Sequence, residues 1–114
     1  MFDEGAQAWV TPLDIPSGQA GTLCVRLIQS NQPIAGANVT ASLNYPSSTI
    51  TLGPAVTGGD GVTALTFTVP SSISGLTVVD VGATVTYQQQ VYMAQTCFNA
   101  IGNQLARQRL AICS

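Results

Sequence analysis

The chain has no lysine and no histidine, and charged residues fill only 7% of its 114 positions, against a usual share of about 25%. The missing histidine removes the commonest general base at neutral pH and the commonest zinc ligand. The missing lysine excludes Schiff-base chemistry and Lys–Asn isopeptide cross-links. The basic residues are Arg26, Arg107 and Arg109, too few to neutralise a phosphate backbone, so no nucleic acid partner is expected. The carboxylates, Asp3, Glu4, Asp14, Asp60 and Asp80, are scattered and lack the DxDxDG spacing of a calcium loop. Serine and threonine are plentiful but have no histidine to activate them, and a cysteine nucleophile would lack its usual partner. A non-enzymatic protein with no cofactor and no metal is the expectation. Thr, Gly or Pro interrupts every apolar run before it reaches the length of a membrane-spanning helix, so no membrane insertion is expected. Met1-Phe2-Asp3-Glu4 has the wrong charge for a secretory signal. An exported form would have lost its signal or been cut from a longer chain.

What the sequence holds in quantity is strand-forming residues. Hydrophobic residues make up 46% of the chain, and Val and Thr are frequent, unlike in disordered chains. The length suits one domain that can bury a core without a metal. Thr22 to Gln29 alternates Leu23, Val25 and Leu27 with Cys24, Arg26 and Ile28, and the all-apolar set is expected to face inward. Val39, Ala41 and Leu43 alternate in the same way over Asn38 to Tyr45. Further strands are expected over Ala6–Thr11, Thr49–Leu52, Val62–Val69, Val78–Tyr87 and Val91–Ala100, with Leu65, Phe67, Val69, Val81, Ala83, Val85 and Phe98 inside. Leu13 to Gly21, with Pro16, Gly18 and Gly21, reads as loop. Gly58-Gly59-Asp60-Gly61 reads as the strongest turn, with Asp60 as an ordinary turn residue. About seven short strands bounded by Gly, Pro, Ser and Asn describe an all-β, immunoglobulin-like antiparallel sandwich over 1–102. An up-and-down barrel is the structural alternative. Leu105, Ala106, Leu110 and Ala111 have helical spacing, so 103–114 is expected to be a short helical tail packed on the sandwich.

Cys24, Cys97 and Cys113 are too widely spaced for a CxxC motif. They are either buried apolar thiols or, in an oxidising compartment, partly paired. Cys24 shares a strand face with Arg26, and Cys97 with Gln95, so both should point away from the core. If their strands lie in opposite sheets, the two cannot come within bridging distance. Cys97–Cys113 is the expected bridge, worth about 3 kcal/mol for a loop of roughly fifteen residues.

Three stretches resemble the immunoglobulin-like repeats of bacterial invasin- and intimin-type surface proteins. Gln32-Pro33-Ile34-Ala35-Gly36-Ala37-Asn38-Val39-Thr40 is similar to the family's G-x-P-V-A-G-A-x-V-T turn. Thr57-Gly58-Gly59-Asp60-Gly61-Val62-Thr63 is similar to its T-D-x-x-G-x-A hairpin. Ala83-Thr84-Val85-Thr86-Tyr87 followed by Phe98 is similar to its ending. The resemblance covers about Gln19 to Ala100 and implies a bacterial cell-surface module. The stretch before it, the tail after Gly102 and the cysteines depart from the family pattern.

Composition and resemblance together predict an extracellular structural or adhesion module: a spacer, an adhesin segment or a subunit of a cell-surface assembly. The expected partner is another protein or a second copy, met at an edge or end of the sandwich. The alternative is a carbohydrate-binding accessory domain of a secreted enzyme, in which Trp9 stacks on a sugar ring beside an exposed tyrosine. Otherwise Trp9 closes one end of the core, and Tyr45, Tyr87 and Tyr92 pack inward with their hydroxyls at the rim.

Overall fold

The computed structural model describes residues 5–46, 48–73 and 75–102, so the expected tail, 103–114, lies outside the described residues. The strands are β1 (Gly5–Thr11), β2 (Asp14–Pro16), β3 (Ala20–Gln29), β4 (Gln32–Pro33), β5 (Asn38–Tyr45), β6 (Ser48–Val56), β7 (Val62–Thr68), β8 (Leu76–Tyr87) and β9 (Gln90–Ile101). No helix occurs among the described residues. In one sheet β3 pairs with β1 along one side and with β7 and the short β4 along the other; the second sheet runs β2-β9-β8-β5-β6. The described residues form an all-β sandwich of two packed sheets.

Period-two alternation decides which side of each strand meets the other sheet. Leu23, Val25 and Leu27 of β3 face Val39 and Leu43 of β5 and Val79 and Val85 of β8 in a core where each is fully buried. Phe98 of β9 is also fully buried, 5.1 Å from the Phe67 ring and 6.3 Å, edge-on, from Tyr45. The inward sets agree with those expected from the sequence. Tyr45 differs from its expected place at the rim, because its hydroxyl is buried with no hydrogen-bond partner among the described residues.

Two short strands depart from the expected seven. β2 forms inside the presumed loop and pairs in parallel with β9, so the sheet is not wholly antiparallel. Its Ile15 is fully buried. Three residues among Pro, Ser and Gly are too few to show a period. The chain crosses from one sheet to the other between β1 and β2, at a cis Thr11–Pro12 peptide. β4 is the return arm of a tight hairpin in which Ser30 and Asn31 both take positive φ. Gln88 and Gln89 do the same between β8 and β9, the geometry of a type I′ turn.

The Gly58–Gly61 turn is not a hairpin, since β6 and β7 belong to different sheets and the turn carries the chain between them. Of its glycines only Gly61 has positive φ. The Asp60 carboxylate accepts the Val62 N–H at 3.1 Å, as its turn role requires. Just before the turn, buried Thr57 accepts the Ala37 N–H at 3.0 Å through its hydroxyl and donates to the Ile34 carbonyl at 2.7 Å. The two turn motifs, 25 residues apart at their starts in the sequence (57 against 32), therefore lock into each other in space.

Candidate functional site

Trp9 and Gln7 project from β1 onto the outer face of the smaller sheet, because the inward places on that strand belong to Ala6, Ala8 and Val10. Strand pairing sets Trp9 opposite Cys24 and Gln7 opposite Arg26. The Arg26 guanidinium lies 5.7 Å from the Trp9 ring centre and donates through Nε to Gln7 Oε1 at 3.0 Å. Trp9 is 37% exposed, so it neither closes the end of the core nor stands free. Its ring is engaged by a cation on its own sheet. Tyr45, Tyr87 and Tyr92 all lie in the other sheet, on β5, β8 and β9. The aromatic pair on one flat surface that a sugar platform would need is not assembled among the described residues. Tyr92 donates its hydroxyl to Gln90 Oε1 at 2.8 Å and accepts from Gln29.

The outer face of the larger sheet is rich in uncharged hydrogen-bonding side chains and carries the Asp80 carboxylate. Gly82 of β8 interrupts a row of side chains and leaves a shallow groove of ≈ 280 Å³ bordered by Asn44, Asp80, Gln95 and Thr96. Asn44 donates to the Asp80 carbonyl at 3.2 Å and accepts from Thr49 at 3.3 Å. Among the described residues no three His, Cys, Asp or Glu side chains converge as a metal site would require.

Cys24 and Cys97 lie on the outer faces of opposite sheets, as the alternation of β3 and β9 demands. A bond between them would have to cross the sandwich. Cys24 is a free thiol under partial cover from its neighbours, and burial pushes its pKa above the ordinary 9.0. Cys113, the expected partner of Cys97, lies outside the described residues.

The outer edge of β7 escaped notice in the sequence. Val69 exchanges its N–H and C=O with the Gly18–Gln19 segment, at 2.9 and 2.8 Å, and Gly61 O accepts from Leu27 N of β3 at 3.0 Å. Backbone direction alternates along a strand, so odd-numbered residues of β7 turn their polar groups toward β3. Ala64, Thr66 and Thr68 therefore turn theirs away, where no strand pairs with them among the described residues. Val62 at the strand's start is satisfied locally, by the Gly58 N–H at 3.0 Å and by Asp60.

No model of a known protein family matches the chain, and no curated protein matches it.

Proposed function

We propose that this chain is a non-catalytic extracellular structural or adhesion module that works as a spacer or as a subunit of a cell-surface assembly. The observation that carries the reading is the elongated sandwich itself, with β9 running nearly its whole length. Gly5 pairs with Ile28 and shares a surface hollow with Tyr92, near the start of β9. Gly102 follows the far end of that strand, bonded to the Gly75 carbonyl at 2.7 Å. Twelve residues of β9 span about 40 Å, close to the full 45 Å length of the molecule. The sparsely charged outer faces and the three stretches similar to invasin- and intimin-type repeats support the same reading.

The carbohydrate-binding alternative is tested on a glycan array, with Trp9→Ala as its control. The expected result is no saturable, Trp9-dependent binding; strong sugar binding lost in Trp9→Ala would overturn the spacer reading.

Export further implies a Cys97–Cys113 bridge with Cys24 left reduced. Peptide mapping under non-reducing conditions is expected to recover that pair, and Cys24 should react slowly with thiol reagents at neutral pH because its thiol stays protonated. Three free thiols in the secreted protein would count against the extracellular location.

A further inference from the structure

We infer that the outer edge of β7 is a self-complementary docking edge, and that two copies of this chain join there, antiparallel, with Thr66 opposite Thr66. The inference rests on reading the domain as an assembly module and names the surface by which it assembles.

The other edges are protected. Along β6 the chain carries Gly53-Pro54, with φ of +90° at Gly53, and its pairing with β5 slips at Val39/Ala41. A proline and a bulge both obstruct an incoming strand. At its C-terminal end β9 is capped by β2. β9 also lies beside β1, so these two strands screen each other's free edges.

By contrast β7, Val62–Thr68, contains no charge, proline or glycine. Its register against β3 runs unbroken for seven pairs. That is the uninterrupted kind of edge to which another strand adds.

The register follows from which backbone groups are available. Among the described residues of this edge, Ala64, Thr66 and Thr68 present the unpaired groups, so a second strand must place its bonding residues opposite these three. Antiparallel pairing of two identical β7 strands centred on Thr66 puts Thr66 against Thr66 and Ala64 against Thr68, and then Thr68 against Ala64. All three residues bond on both strands, and Val62, already satisfied by its turn, is left alone. A centre one residue earlier, at Leu65, would enlist Val62 and waste that match. With Thr66 at the centre, Leu65 falls opposite the partner's Phe67 on the inner face. Leu65 is half-buried against the core, and the partner strand would cover it further. Exposed Thr66 meets its own copy on the outer face, a favourable cross-strand pair. Such a contact is isologous and closes at two copies.

Sedimentation of the full chain over a concentration series is expected to show a monomer–dimer equilibrium. Hydrogen exchange should show Ala64, Thr66 and Thr68 amides becoming protected as concentration rises. Thr66→Lys places like charges face to face and should weaken dimerisation by about tenfold or more. Thr66→Pro removes an N–H that points to solvent in the monomer and should abolish the dimer. Thr51→Lys, on the protected β6 edge, should leave it unchanged. Circular dichroism of Thr66→Lys, whose side chain is exposed, verifies that the fold survives. A chain monomeric into the high micromolar range, or a dimer indifferent to Thr66→Lys, overturns the inference. Neither result bears on the spacer reading, which stands or falls on the glycan array.

Discussion

Replacing Phe98 by alanine is expected to destabilise the fold by about 3–5 kcal/mol, enough to leave a domain of this size marginal or unfolded at 37 °C. Phe98 is fully buried, and it is the ring on which Phe67 from one sheet and Tyr45 from the other converge. Truncation would remove the transfer energy of the ring and open a void that two sheets tied by backbone ladders cannot collapse to fill. Urea unfolding should show the loss as a lower midpoint at an unchanged slope. Tyr45→Phe supplies the contrast in the same cluster. It removes a buried hydroxyl that has no partner among the described residues, so it should be neutral or stabilising by about 1 kcal/mol. A Phe98→Ala loss below about 1 kcal/mol would mean that the two sheets do not meet at this ring.

Gly61→Ala should cost about 3 kcal/mol, seen as a Tm lower by roughly 10–20 °C. Gly61 sits at φ +76°, where a side chain brings a penalty of about 1–2 kcal/mol. A Cβ there would also lie 2.8 Å from Pro33 Cβ and 3.0 Å from both Ile34 N and Leu27 O. Two of those three atoms are backbone, held by the Ile34 N–H to Leu27 O bond at 3.0 Å, so they cannot yield as a side-chain tip would. Gly59→Ala, two residues earlier, is the control: nothing lies within 4 Å of the added carbon. It should melt within a degree or two of the parent. Equal melting of the two variants would mean that the turn does not seat on the β3–β4 hairpin.

The contrast between these glycines shows where sequence reasoning reached and where it stopped. Composition marked Gly58 to Gly61 as a turn, and rightly so, but the turn joins two sheets rather than two neighbouring strands. Local chemistry states that the chain reverses, not which ladder it enters next. The inward residues of β3, β5, β7, β8 and β9 were legible because a period of two survives over seven or more residues. Ile15 was not, since three residues carry no period and its burial depends on β9, more than eighty positions away. Asn99 belongs on the outward row with Cys97, yet it is buried. The Leu13–Asp14 segment folds over it, accepting the Asn99 N–H and side-chain amide at 2.8 and 2.7 Å. The candidate docking edge was half legible. Its lack of charge can be read from Val62 to Thr68, whereas the direction of each carbonyl depends on the pairing with β3.

The parallel pairing of β2 with β9 has a consequence for how the molecule comes into being. A growing or threading chain delivers its segments in order, and Ile15 emerges long before Phe98 to Ile101. Until those residues arrive, β2 has no neighbour in its sheet, and the fully buried Ile15 has no complete core to enter. Contacts between the two ends of a chain carry a large loop-closure cost and form slowly. The sandwich is therefore completed only when its final strand is delivered. A chain that must pass a narrow channel in extended form benefits from that order of events, because its late closure leaves it unfolded for the passage.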